Sequence, residues 1–533
     1  MGLGRFLLIG LIILQFKAQA QTVNFQEEVY ISVDKTNVIV GELLNFSAFV
    51  YSNTSKKLSK LSSILYIELI DEVGTSVHQT KIGLRNGRGS GSIYIDSEWL
   101  SSTYRLVAYT RWMQNYNSYF EQKILILNPY NNLIQHQKIL GNPMLGSVES
   151  TVDANRYDIQ QQASLSLGII QPSSISISIS KMSNLYYSNV NLMNDSIKTM
   201  KSFKILPEYK YGLVQGNVNN TDSQLRINSA INGSNMQIST TITDSAGNFW
   251  INYNPDLSPN DAEIQIELEN DSLAQISIVN EFYKRYSTLD TVQVTLDSIT
   301  ISELILRSVN NQIQMAYQKP LDVLVDTRSI FTLPSAEVYY LDDYKRFPSL
   351  RDTFIELLNN VGVSKSDEKY RINIRCNSEP SGLNKSDAVP LILLDGLKIT
   401  PQYILNISPN SIMKIEVIPE YYFVNDIVYK GIISVHSFKG NMSVENSNSH
   451  TFPIANYQPY NEAGYQLRSA SRIPQYQTDL FWDPIYSHNG GELLVNFSTS
   501  MIEGTYKACV KGLSEDGIPI NVTKYFQVIL SSR

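Results

Sequence analysis

The chain has 533 residues, more than one hydrophobic core usually supports, so several domains are expected. A formal charge of −7 gives no electrostatic reason to bind nucleic acid. With 33 tyrosines and only 17% charged residues, the composition suits strands, which favour aromatic and β-branched side chains, and so points to a mainly β protein.

Residues 1–20 carry Arg5, the apolar run Phe6–Leu14 and the small-residue site Ala18-Gln19-Ala20, the layout of a secretory signal peptide. The junction holds no cysteine, so no lipid anchor is expected, and no other stretch approaches the roughly 18 apolar residues of a spanning helix, so no transmembrane segment is expected either. Cys376 and Cys509 are expected to be small buried residues and not a disulfide.

Residues 21–146 read as short strands with turn signals every eight to twelve residues, a sandwich pattern. Tyr66 and Glu68 alternate with Ile67 and Leu69, and Asn86-Gly87 bends the chain. The pieces VYISVDKTNVIVGELLNFSAFV, LYIELIDEVG and STYRLVAYTRWMQNY resemble a macroglobulin-type sandwich of the α2-macroglobulin superfamily, in the version found in Bacteroidota envelope proteins. That family's thioester sequence Cys-Gly-Glu-Gln is missing, so covalent trapping is not expected. Trp112, Tyr116 and Phe120 are candidate contact residues, for a neighbouring domain or for a partner.

The strand set that begins at residue 147 is too short to close a sandwich of about 100 residues, and so is the set after residue 461. Segments 147–205 and 461–533 are therefore expected to form one discontinuous macroglobulin-type sandwich, with Trp482, Phe497 and Tyr506 in its core and Asp516-Gly517 as a hairpin turn. Within it, residues 206–298 resemble a carboxypeptidase regulatory-like sandwich: Gly216 opens it, Asp244-x-x-Gly247 turns it, and 264–268 close it. A helix over 302–317 would carry Leu304, Ile305, Val309 and Ile313 on one side.

The stretch 299–440 reads as that helix followed by a small α+β unit. Strands are expected at 337–342, 371–376, 389–394, 412–418 and 431–438, with a tight reversal at Asp395-Gly396. Leu350, Phe354, Leu357, Leu358 and Val361 would share one helical face behind the cap Ser349, and Thr400-Pro401 starts a second helix. Ile415 and Val417 alternate with Lys414 and Glu416, which predicts one buried and one wet side. In their order YLDDYKRFPSLRDTF, PLILLDG, ISPNSIMKIEVI and YKGIISVHSF resemble the plug domain of TonB-dependent outer-membrane receptors. A receptor barrel of that class needs about 22 strands, for which the residues after Gly440 do not suffice, so the resemblance implies a plug without its own barrel. Residues 441–460 are expected to be a linker. The expected fold class is thus mainly β: several Ig-like, macroglobulin-type β-sandwiches plus a small α+β plug-like domain, with no transmembrane barrel.

Chemistry is sparse. The five histidines never pair at ligand spacing, and nucleophile, P-loop and dinucleotide motifs are absent, so no catalytic residue, cofactor or metal is expected. The aromatic group Tyr421, Tyr422 and Phe423, beside Asn425 and Asp426, is the candidate partner surface, set against the plainer reading that its rings cover the small domain's own core. These resemblances imply a noncatalytic envelope scaffold, exported and held at the outer membrane by a β-barrel protein or complex. The alternatives are a free surface adhesin, a non-covalent protease-binding protein or a hydrolase of unfamiliar geometry.

Overall fold

In a computed structural model the protein is described over residues 25–130, 155–169, 171–182, 205–219, 224–231, 237–257, 262–268, 274–282, 286–288, 298–317, 336–366, 369–377, 388–424, 427–438, 440, 442, 449–467 and 475–530. The predicted signal segment lies outside these residues. The fold is mainly β, with three α-helices among the described residues, α1 (Ser298–Tyr317), α2 (Leu350–Glu356) and α3 (Pro401–Ile404). No described helix is long and apolar enough to cross a membrane.

The first sandwich places the sheet Glu27–Val33, Leu43–Ser52 and Arg88–Tyr94 over a sheet ordered Asn37–Ile39, Phe120–Leu127, Ser102–Tyr109, Ile64–Ile70 and Ser76–Gly83. Phe46, Ile67, Leu69, Leu106 and Ile124 fill the space between them. Asn86 and Gly87 both take positive φ, 51° and 75°, the mirror-image turn that matches strand twist. A Cβ on Gly87 would stand 2.6 Å from the Val50 carbonyl, so only glycine fits there. The alternation around Tyr66 is present, yet both sides are buried: Tyr66, Glu68 and Arg105 on the outer face are covered by residues 208, 281 and 286–287.

The middle sandwich sets Asn248–Tyr253, Gly212–Val218 and Ile276–Ile278 against Gln237–Ile242, Arg226–Ile231, Glu263–Leu268 and Ser449–Pro453. Asp244 forms its turn by accepting from the Ala246 and Asn248 amides at 2.9 and 2.8 Å, and Gly247 has φ +80°. Gly216 lies in Gly212–Val218, the first strand of this sandwich in chain order. Two expectations are corrected here. Glu263–Leu268 does not close the sandwich but is an inner strand flanked by Ser449–Pro453. Part of the expected linker is therefore sheet, and Tyr457–Gln458 adds a second short strand, parallel to Lys81–Ile82 of the first sandwich. The returning chain finds two unpaired edges, and pairing them satisfies backbone groups that would otherwise stay open.

Helix α1 docks on the first sandwich: Arg307 and Asn311 bond the turn after Asn37–Ile39, Ser308 meets the Tyr130 hydroxyl, and Leu304 is buried. Ile305 and Val309 stay 47% and 44% exposed, so the side predicted to be common to Leu304, Ile305, Val309 and Ile313 is split. The bidentate Arg307–Glu42 pair selects which side docks.

The α+β unit is a mixed sheet ordered Glu337–Tyr340, Ile412–Val424, Ile427–Ser437, Leu391–Leu394 and Leu397–Lys398, with Leu391–Leu394 parallel to its long neighbour. Asp395 and Gly396 take φ +48° and +89° in its two-residue hairpin. Ser349 caps α2 and Thr400 caps α3, whose first residue is Pro401. Helix α2 ends at Glu356, and Val361 starts the strand Val361–Ser366, because Asn359, Asn360 and Gly362 are poor helix formers. Leu350 and Phe354 still bury against Ile415, Val417, Ile433 and Val435. The wet side predicted for Lys414 and Glu416 is absent. Both are buried and bonded to each other, so the charges are kept by pairing and not by water.

Val361–Ser366 pairs with Lys369–Ile374 as a separate hairpin, and the other described strands form one more sandwich from two distant stretches. Gln162–Gly168 pairs with Glu492–Ser498, facing a sheet ordered Tyr465–Gln466, Asp479–Asn489, Pro172–Lys181, Gly504–Ser514, Pro519–Ile529 and Arg156–Asp158. Leu165, Phe497, Tyr506 and Phe526 lie in its core, with Trp482 buried on the neighbouring strand.

Candidate functional site

The two longest strands of the mixed sheet continue beyond it. Glu337–Tyr340 covers only Lys414–Val417, and Leu391–Leu394 covers only Ile432–Val435. Past an irregularity between Ile418 and Tyr421, the pairs Tyr421↔Lys430, Tyr422↔Tyr429, Phe423↔Val428 and Val424↔Ile427 form a two-stranded ribbon, flanked by no third strand among the described residues. Asn425 and Asp426, at its tip, lie outside the described residues.

Successive residues on a strand face opposite sides, so Tyr422 and Phe423 point to different faces of the ribbon. They are 38% and 53% exposed. Tyr421 is half-buried, and Tyr429 is buried with Ile418, Leu391 and Ile432 against Ile238 of the middle sandwich. A two-stranded ribbon is marginal in water on its own. This one is held at its base by the Asn377 amide on the Pro419 carbonyl (2.8 Å) and the Lys430 amide on the Val389 carbonyl (3.1 Å). It thus presents two rings and open backbone edges from a fixed root.

The other three candidates face inward. Trp112 and Tyr116 sit in the turn Arg111–Tyr116. Trp112 Nε1 donates to the Phe25 carbonyl at 2.9 Å. The Tyr116 hydroxyl donates to the Glu27 carbonyl at 2.6 Å and accepts from the Glu27 amide at 2.7 Å, and burial raises its pKa. Phe120 packs edge-on to Tyr30. Tyr116 and Phe120 are consequently corrected from candidate partner residues to packing residues of the first sandwich. The same turn contacts the middle sandwich through Arg111, which donates to the Leu213 carbonyl at 2.8 Å and to Gln215 Oε1 at 2.9 Å.

A buried polar network that sequence reasoning missed holds those two sandwiches together. Lys81 pairs with Glu281 and donates to the Tyr253 hydroxyl at 3.0 Å, and Tyr66 donates to Glu208 Oε1 at 3.1 Å. Burial pushes Glu208 up to about 7 against the opposing pull of Lys81, and its Oε2 has no hydrogen-bond partner among the described residues. Beside it, Glu68 accepts from Tyr109 and Tyr286 at 2.6 Å each and from Gln79 at 2.8 Å. The only signal in the sequence is a run of charged and hydroxyl residues inside strands, which reads equally well as a solvated face.

One further cluster has familiar residue types. His436 Nε2 lies 3.0 Å from Ser434 Oγ and 3.5 Å from Glu416 Oε2. Both contacts use the same ring nitrogen, whereas a serine–histidine–carboxylate relay needs one on each. Among the described residues no group of three His, Cys, Asp or Glu side chains is placed to hold a metal ion. Cys376 and Cys509 are not bridged to each other.

No family model matches the chain, and no curated protein does. Solved structures similar to it include the trypsin-activated alpha-2-macroglobulin of Escherichia coli (8% identity, TM-score 0.26, 96% of this chain and 42% of that one) and the methylamine-reacted alpha-2-macroglobulin of Salmonella (8%, 0.24, 95% and 39%). Dimeric latent PorU from Porphyromonas gingivalis is similar over 47% of this chain and 33% of that one, at 8% identity and TM-score 0.18. The likeness to the bacterial macroglobulins is distant, and this chain spans about two fifths of their length. At such TM-scores the similarities carry no argument about activity or partners.

Proposed function

We propose that this chain is a noncatalytic scaffold of the Gram-negative cell envelope that docks on an outer-membrane β-barrel protein or complex through the ribbon Tyr421–Lys430. The observation that carries the reading is the pair of exposed rings, Tyr422 and Phe423, on a two-stranded projection rooted in a five-stranded sheet. Exposed aromatic side chains on a rigid base are favourable anchors, because they bury large area at small cost in side-chain entropy. Open strand edges beside them favour pairing with another β protein. The ordered resemblance of 337–440 to a receptor plug supports a barrel as partner, and the sandwiches serve as the frame that positions the ribbon.

The test is capture from detergent-solubilised outer membranes with the full chain and with a Tyr422→Ser, Phe423→Ser double variant. A barrel protein recovered with the first and lost with the second supports the reading. Recovery of the chain alone, or equal recovery with both, sinks it. Release of the chain from intact cells by protease, with no barrel attached, would favour the adhesin alternative.

A further inference from the structure

Three elements meet at one charged junction. The first sandwich contributes Asp34, Lys35 and Glu42, α1 contributes Arg307, and the strand Asp479–Asn489 contributes Asp479. Lys35 bonds Asp479 directly and stands 3.9 Å from both Asp34 and Glu42. Arg307 grips Glu42 with two bonds, 2.8 and 2.7 Å, and reaches the Asn37 carbonyl at 3.1 Å. None of these five side chains is more than 19% exposed. Three carboxylates therefore face two cations where water screens little. Around them stand the Tyr465 hydroxyl and, further out, the oppositely charged Lys181 and Glu303.

We propose that this junction, with three buried carboxylates against two cations, is a proton-operated latch: when it takes up one proton it holds α1 and the strands Pro172–Lys181 and Asp479–Asn489 more tightly against the first sandwich. Asp34 is the group that takes the proton. Arg307 engages Glu42 and Lys35 engages Asp479, which leaves Asp34 with the Asn45 amides at 2.7 and 3.2 Å and only a distant share of Lys35. The Asn45 side-chain amide, turned over, offers its oxygen to a protonated Asp34. Burial, with Asp479 adding and Lys35 opposing, pushes Asp34 up to about 7. Lys35 is itself held above its ordinary value by Asp479, Asp34 and Glu42 although burial works against it, so the cations stay charged throughout.

The folded-state value of Asp34 lies above the ordinary 3.8, so the stabilisation is present at low pH and is lost as pH rises towards about 7. Opening of the junction should become about tenfold more favourable from pH 6 to pH 8. The experiment is hydrogen exchange of the full chain at both values, corrected for intrinsic rate, read in α1 and in Asp479–Asn489, with the strand Ile412–Val424 as reference. Wild type should lose protection about tenfold at the junction relative to the reference, and Asp34→Asn should lose the pH dependence. A flat wild-type profile overturns the proposal even if the variant does not fold, and so does a variant that keeps the full tenfold change.

Discussion

Two aromatic groups of similar make-up end up in opposite places. Trp112, Tyr116 and Phe120 turn inward, bonded to Phe25 and Glu27 or packed on Tyr30, whereas Tyr422 and Phe423 stand out on a ribbon with open edges. Composition does not separate them. The separation comes from what surrounds each group: a strand whose backbone the Tyr116 hydroxyl satisfies in one case, and no flanking strand among the described residues in the other. Tyr116 is a core residue because the Glu27 backbone engages its hydroxyl under cover of the first sandwich, whereas Tyr422 stands on a ribbon that no third described strand covers.

The contrast can be broken at its buried end first. Tyr116→Ala should cost about 3–5 kcal/mol, read as a fall in the urea midpoint, because it opens a cavity and strands the Glu27 amide. Glu68→Ala should cost roughly 3 kcal/mol by the same measurement, since Tyr109, Tyr286 and Gln79 would lose a shared acceptor inside the interface.

A pH titration sharpens the comparison. Glu208 is raised to about 7 in the folded chain, so its contribution is present below its ordinary value of 4.5 and lost as pH rises through about 7. Between pH 5 and 8 wild type should lose about 2 kcal/mol that Glu208→Gln does not lose. At the exposed end, Tyr422→Ser with Phe423→Ser should change stability by less than about 0.5 kcal/mol while abolishing capture of the partner. A large stability loss there would mean that the rings belong to the core after all.

What the sequence made legible was local. Asp395-Gly396 gave the mirror-image hairpin, Ser349 and Thr400 gave the caps, and Ile415 and Val417 gave the buried face, since each depends on neighbours within a few residues. What stayed hidden was set by contacts farther along the chain. The outward turn of Ile305 and Val309 and the strand at Ser449–Pro453 depend on which surface another module covers, and the burial of Lys414 and Glu416 on strands that flank them from elsewhere in the same sheet. The aromatic group is legible as three rings just beyond the expected strand 412–418, but the strand's extension to Val424 as a ribbon, and the exposure of the rings, rest on the short reach of Glu337–Tyr340 and Leu391–Leu394, which periodicity does not encode.

The late pairing of Ser449–Pro453 with Glu263–Leu268, and of Asp479–Asn489 with Pro172–Lys181, also constrains how the chain matures. Early strands must wait for almost 300 residues of further synthesis before their neighbours exist, and such distant closures are slow. During that wait the newborn chain carries unfinished sheet margins that could join the wrong molecule. Protection of those margins until the hairpin of Gly504–Ser514 and Pro519–Ile529 arrives is what this topology calls for.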